Sequence, residues 1–96
     1  MREEGLIKIT IEDLKYIVEE EYEVLERMAR FNSFCGNCYG KREVEMIDFE
    51  LYLNRLNDVI FEGKCKGCSK SIARYIEIGE NPMYYMKTKH IKNKKR

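Results

Sequence analysis

Apolar residues recur at helical spacing through the first third of the chain. The pattern begins after Thr10, which suits an N-cap position, with Asp13 in the place of a capping-box acid. Glu12 and Asp13 also lie where acidic side chains favour a helix start. The spacing predicts one amphipathic helix over residues 10–32. Six members of its apolar stripe form a candidate interface: Leu14, Ile17, Val18, Val24, Leu25 and Met28.

This stripe requires a surface to cover it. Packing on the rest of the chain is one interpretation, and a protein partner, most simply a second copy in a homodimer, is the other. Glu21 lies where an uninterrupted seam requires an apolar residue, which disfavours a long coiled coil.

The hydrophobic period changes in the middle of the chain. Residues 43–47 alternate charged and apolar positions, which predicts a short strand. After Asp48 the apolar spacing becomes helical and predicts a short helix over residues 48–57. One continuous helix over residues 41–57 is the alternative. Residues 59–61 and 72–78 are rich in β-branched and aromatic side chains and predict a hairpin. The members of the helical pattern are Phe49, Tyr52, Leu53 and Leu56.

The chain has four cysteines, grouped in two Cys-x-x-Cys pairs: Cys35 with Cys38, and Cys65 with Cys68. Such a turn places two sulfurs about 3.7 to 4 Å apart, so two turns close a tetrahedron with zinc–sulfur distances of about 2.3 Å. Because four protein ligands leave no open position for water, the pattern predicts one structural Zn²⁺. Iron, and redox or disulfide chemistry, are the less favoured alternatives.

This ligand set resembles that of small four-cysteine zinc-ribbon and zinc-knuckle proteins, over residues 34–80. Between the pairs stand 26 residues, more than the roughly 15 to 20 of the commonest spacing, which implies an inserted element. Zinc ribbons often occur in transcription, translation and replication machinery, so the resemblance raises the expectation of nucleic-acid binding. Glycines beside the cysteines are expected to supply positive φ angles at the two turns. They are Gly36, Gly40, Gly63 and Gly67.

Charge is unevenly distributed along the chain, although the net charge is only +1. Residues 1–50 hold 7 Lys or Arg against 13 Asp or Glu, whereas residues 51–96 hold 11 against 4. The basic second half predicts a polyanionic partner. A surface rich in Lys and Glu, with no Gln, also agrees with a heat-adapted origin.

The C-terminal residues 81–96 combine aromatic and basic side chains. Asn81 and Pro82 suit an N-cap and a first helical position, so a helix is expected to begin there and to fray into a basic tail. Lysines can neutralise phosphates and tyrosine rings can stack on bases, which predicts nucleic-acid binding. In the alternative, the apolar residues of this segment cover the core and its end is solvated. The residues predicted to contact nucleic acid are Lys64, Lys66, Lys70, Arg74, Tyr84, Tyr85, Lys87, Lys89, Lys92, Lys94, Lys95 and Arg96.

Other classes of function have little support in the sequence. The only histidine, His90, has no evident catalytic partner, and no phosphate-cradling loop or nucleophile elbow is present, so neither an enzyme nor a small-molecule substrate is expected. No apolar run approaches the ~20 residues of a membrane span. The first residues lack a signal-peptide pattern. We therefore expect a cytoplasmic protein in a reducing, intracellular compartment, with no membrane partner.

The sequence thus predicts a single α+β domain over residues 1–96. It comprises the amphipathic helix, a zinc module over residues 34–80 with an antiparallel sheet and a helical insertion, and a partly helical basic end over residues 81–96. The predicted function is that of a zinc-stabilised nucleic-acid-binding protein, a small regulatory or accessory factor. The alternative is a protein-interaction module that uses the apolar stripe, and an iron electron carrier resembling rubredoxin is a third class.

Overall fold

A computed structural model describes residues 5–38 and 43–95, which form one antiparallel sheet and three α-helices. The strands, in the order in which they lie in the sheet, are β1 (Ile7–Ile9), β2 (Met46–Leu53), β3 (Val59–Cys65) and β4 (Ser71–Ile76). The helices are α1 (Ile11–Val18), α2 (Tyr22–Phe31) and α3 (Pro82–Lys94). Buried residues of the helices and of the sheet belong to a single core. The predicted α+β arrangement with a C-terminal helix is confirmed.

The start of α1 follows the predicted capping pattern. Thr10 Oγ1 accepts a hydrogen bond from the Asp13 N–H, and an Asp13 oxygen accepts one from the Thr10 N–H, each at 3.0 Å. Burial disfavours the Asp13 carboxylate, but the Thr10 N–H and the nearby Lys95 ammonium outweigh it and lower the pKa of Asp13. The two reciprocal bonds satisfy N–H groups that a helix start otherwise leaves unpaired.

The first helix is interrupted, whereas the sequence predicted a continuous one. Residues Glu19–Glu21 form a single 3₁₀ turn between α1 and α2, and Glu19 has a φ of 54°, outside the helical region. A continuous helix would direct Glu21 toward the core. The interruption changes the rotation of α2, so that Tyr22 is buried and Glu21 is exposed.

Most of the predicted apolar stripe is used inside the chain. Leu14, Ile17, Val18 and Leu25 are buried in the core, and Met28 is half-buried. Val24 is exposed. The four buried residues are therefore not part of the surface that a partner can reach.

Residues 48–57 do not form the predicted helix. They lie largely in β2, which pairs with β3 from Met46 opposite Cys65 to Leu53 opposite Val59. This pairing also contradicts the alternative of one helix over residues 41–57. The predicted strand over residues 43–47 is displaced, since β2 begins at Met46.

A β-bulge interrupts the regular alternation of β2. In β2, Asp48 and Phe49 stand opposite Gly63 alone, and Asp48 has a φ of 53°. The extra residue shifts the strand alternation by one, so Met46 before the bulge and Leu51 after it are both buried. The false helical pattern arises after the bulge, where the adjacent residues Tyr52 and Leu53 are both buried, while Leu56 is 73% exposed in the turn that follows β2.

The predicted hairpin around the second cysteine pair is confirmed. Strands β3 and β4 pair from Val59 opposite Ile76 to Lys64 opposite Ser71, and the second cysteine pair lies at their connection. The predicted C-terminal helix is also confirmed, because the Asn81 side chain accepts hydrogen bonds from the N–H groups of Met83 and Tyr84. Within the described ranges, no helix combines the length and apolarity that crossing a bilayer requires.

Replacing Gly63 by alanine should destabilise the fold. Its new Cβ would lie 2.6 Å from the Ile47 carbonyl oxygen and 2.7 Å from Met46 Cγ, inside the bulge. We expect the free energy of unfolding to fall by ~1–3 kcal/mol, measured by denaturant unfolding. Gly36→Ala is the matched control, because the nearest atom to its new Cβ would be Phe34 Cε1 at 3.9 Å. Equal losses for both variants, or no loss for Gly63→Ala, would contradict this role of the bulge.

Candidate metal centre and candidate nucleic-acid interface

The sulfur atoms of the four cysteines lie together at one end of the sheet. All four Sγ atoms are within 4.8 Å of one another. The Sγ atoms of Cys35 and Cys68 are 3.6 Å apart, as are those of Cys38 and Cys65. A tetrahedral site with metal–sulfur bonds of about 2.3 Å requires sulfurs about 3.8 Å apart. The four cysteines are therefore placed so that they can bind one metal ion together.

The first pair lies in the loop that follows α2, and several contacts fix the start of this loop. Arg74 of β4 donates from its guanidinium to the Asn32 carbonyl oxygen at 2.7 Å, which places a cation at the C-terminal end of α2. The Ser33 hydroxyl donates to the Ala29 carbonyl oxygen at 2.6 Å. Ser33 also forms an isolated β-bridge with Val44. These contacts lead the chain from the helix directly to Cys35.

The second pair occupies the turn between β3 and β4. The Cys65 N–H donates to the Lys70 carbonyl oxygen, and the Ser69 N–H donates to the Cys65 carbonyl oxygen, each at 2.8 Å. The positive φ angle of this turn, 66°, belongs to Ser69. The expectation that Gly36, Gly63 and Gly67 supply positive φ angles is wrong, and Gly40 lies outside the described residues.

Polar neighbours and mutual contact change the ionisation of the thiols. The Lys70 N–H and the Asn37 side chain donate to Cys68 and lower the pKa of its thiol to about 6. Contact with the Cys65 thiol raises the pKa of Cys38 to about 12, and burial raises the pKa of Cys35. A bound cation is therefore what allows all four sulfurs to be thiolates at once. Sequence reasoning missed Asn37, although a polar residue inside a Cys-x-x-Cys turn is the signal that could have identified it.

The cysteine cluster is continuous with the hydrophobic core. Cys35 and Cys65 are buried within it, while Cys38 and Cys68 are half-buried against it. Four thiolate donors with this spacing suit a thiophilic ion such as Zn²⁺ or iron. With all four positions supplied by the chain, such an ion would have a structural role.

The basic C-terminal segment is a docked helix. It packs against α1. Lys87 Nζ lies 3.1 Å from a Glu19 carboxylate oxygen at one end of this contact, and Lys95 Nζ lies 3.0 Å from an Asp13 carboxylate oxygen at the other. Helices α1 and α3 are therefore antiparallel. Lys92 Nζ donates to the Asn54 carbonyl oxygen at 2.7 Å. These three lysines hold α3 in place.

The residues predicted to bind nucleic acid divide into two classes. The side chains that the fold itself engages are Lys66, which pairs with Glu45 at 3.4 Å, and Arg74, Tyr84, Lys87, Lys92 and Lys95. The exposed side chains without an ion pair to any described residue are Lys64, Lys70, Tyr85, Lys89 and Lys94. Arg96 lies outside the described residues.

The exposed cations lie in two separate places. Lys64 and Lys70 flank the cysteine turn, at the end of β3 and before β4. Helix α3 begins beyond the opposite end of β4, and its Lys92 reaches the residue Asn54 that precedes β3. The hairpin lysines and the helix lysines therefore lie at different ends of the sheet.

The outward side of α2 carries an apolar surface that sequence reasoning did not separate from the core stripe. Val24, Phe31 and Phe34 are 43%, 47% and 70% exposed. Val24 and Phe31 are seven residues apart, about two helical turns, and so lie on the same side of α2.

Comparisons of the chain with protein-family models, curated proteins and solved structures gave no match. The likeness to zinc ribbons therefore rests on the four cysteines and their geometry alone.

Proposed function

We propose that this chain is a zinc-stabilised domain that binds nucleic acid through the outward face of α3. The observation that carries the proposal is the composition of this helix, which has four lysines and no acidic residue. Its exposed residues include Tyr85, Lys89 and Lys94. Lysine can neutralise phosphate and release its counterions, so such a face attracts polyanions.

The zinc part of the proposal is supported by the cysteine cluster, which brings together two segments that are distant in sequence. The sulfurs that lie 3.6 Å apart come from cysteines that are distant in sequence. Cys35 and Cys68 are 33 positions apart, and Cys38 and Cys65 are 27 positions apart. An ion bound to all four sulfurs would fasten the loop after α2 to the turn between β3 and β4. A domain of this size gains considerably from such a link, because its apolar core is small.

The nucleic-acid part is supported by two lysines of α3 that the fold does not engage. Lys87, Lys92 and Lys95 contact the fold and anchor the helix. Lys89 and Lys94 form no ion pair with any residue in the described ranges. A polyanion that contacts these two lysines does not have to break the contacts that hold α3.

The metal should be required for folding. We expect elemental analysis to find one zinc per chain, and chelation to lower the midpoint of thermal unfolding because the four-sulfur link is lost. Cys68→Ser should lose both the metal and the cooperative transition, whereas Ser71→Ala, an exposed neighbour, should retain both. A metal-free Cys68→Ser variant that unfolds like the wild type would refute a structural metal. A red protein that contains iron would refute zinc as the ion.

Removing the outward charges of α3 should weaken binding to nucleic acid. We expect Lys89→Gln with Lys94→Gln to reduce affinity roughly tenfold per lysine at 0.1 M salt and to reduce the salt slope by about 2. The matched control is Lys64→Gln with Lys70→Gln, which removes the same charge near the cysteine turn. Fluorescence anisotropy over a salt series measures both quantities. The assignment to α3 fails if only the control pair weakens binding.

A second candidate function is self-association through the outward side of α2. Its apolar residues have acidic neighbours near the helix start, Glu20 and Glu23, and basic neighbours near its end, Arg27 and Arg30. Two antiparallel copies would set each acidic start against the basic end of the other. This arrangement is self-complementary, as a two-fold interface requires.

The α2 interface predicts a dimer that substitution can dissociate. Val24→Glu with Phe31→Glu should leave a monomer, because it places carboxylates in the apolar contact, while Met83→Glu on α3 should not change the assembly. Sedimentation velocity over a concentration series distinguishes these states. A wild-type protein that stays monomeric at every concentration rules the interface out.

A further inference from the structure

We infer that the nucleic acid bound by α3 is single-stranded, with an unpaired base stacked on Tyr85 and a phosphate at Lys89. This inference rests on the proposed function and specifies its substrate. It starts from the apolar part of the outward face. Met83, Tyr85 and Met86 are 64%, 41% and 71% exposed.

The two kinds of outward residue occupy different parts of α3. The apolar ones lie in the first two turns, and Lys89 lies about one turn after Tyr85. A duplex presents its phosphates and keeps the faces of its bases stacked inside. A single strand presents phosphates and base faces together, so it can use both parts of this surface.

Tyr85 and Lys89 form one combined contact surface. They are four residues apart and therefore lie on the same side of the helix. Lys89 Nζ is 5.6 Å from the centroid of the Tyr85 ring. An ammonium group beside an exposed ring can neutralise the phosphate of a nucleotide whose base stacks on that ring.

The two adjacent tyrosines of α3 differ in exposure. Tyr84 is half-buried and packs against the core, whereas Tyr85 points outward. Helix α3, which carries Tyr85, is held in place because its residues Thr88 and Ile91 are buried. The ring is therefore held on an ordered surface before any ligand arrives, which reduces the entropy lost on binding.

Reading of a duplex through the major groove fits this helix less well. Groove-reading helices direct residues near their N-terminus toward base edges, where Arg, Lys, Asn and Gln are the common readers. The outward residues at the start of α3 are Met83, Tyr85 and Met86. Two thioethers cannot donate hydrogen bonds to base edges, but they can cover the faces of unstacked bases.

The test compares a single-stranded homopyrimidine oligonucleotide with a duplex of equal length. We expect tighter binding of the single strand. Tyr85→Ala should weaken that binding roughly five- to hundredfold and leave the salt slope unchanged, because stacking and not charge is removed. Tyr85→Phe should preserve affinity, since phenylalanine keeps the ring.

The chain contains no tryptophan, so Tyr85→Trp introduces a single fluorescent reporter. Its emission should be quenched when the single strand binds. Tyr75→Trp, at an exposed position of β4, is the matched control and should respond less.

The outcomes separate this inference from the proposed function. Equal affinity for duplex and single strand, with Tyr85→Ala neutral and the α3 lysine variant weakened, would overturn the single-strand inference and leave the proposed function intact. Absence of binding to either oligonucleotide would overturn both. Quenching of the indole in the Tyr85→Trp variant, with preference for the single strand, would support both.

Discussion

The structure depends on the meeting of four cysteine sulfurs, which lie close enough together to bind one metal ion. Four thiols in contact resist joint ionisation, as the raised pKa values of Cys35 and Cys38 indicate, and a bound cation removes that resistance. The secondary-structure elements that flank each cysteine pair fix its position. Arg74 of β4 donates to the Asn32 carbonyl oxygen just before the first pair, and the β3–β4 turn holds the second. A metal ion bound to the four sulfurs would therefore link the loop after α2 to the end of the sheet, and the fold in turn brings its ligands together.

Ion pairs orient the C-terminal helix α3 against α1. The acidic first half and the basic second half meet where α1 and α3 lie antiparallel, with Lys87 near Glu19 and Lys95 near Asp13. Both pairs lie near the surface and are only partly buried, and surface ion pairs contribute about 0–1 kcal/mol each. Their main effect is on orientation, while the burial of Thr88 and Ile91 supplies the packing. A helix positioned in this way exposes the other half of its lysines.

Features set by neighbouring residues could be predicted from the sequence. The capping box at Thr10, the helix start at Asn81 and the grouping of the cysteines each depend on a few adjacent positions. The failures depend on distant partners. The bulge in β2 exists because Gly63 on the next strand leaves room for it, and the break at Glu19 turns α2 toward a sheet that the local pattern does not contain. The spacing of hydrophobic residues along the chain contains no information on either the bulge or the break.

The same distinction explains why the metal ligands were easier to predict than the basic surface. A ligand set is defined by residue type and spacing, whereas the availability of a lysine depends on what the fold places beside it. Counting cations could not separate Lys92, which contacts the Asn54 carbonyl oxygen, from Lys94 two positions later. Once α3 is docked, its inward cations are already compensated by carboxylates and a carbonyl. The proposed binding of a polyanion at the lysines without an ion pair in the described part of the chain would therefore not disturb the contacts that attach α3.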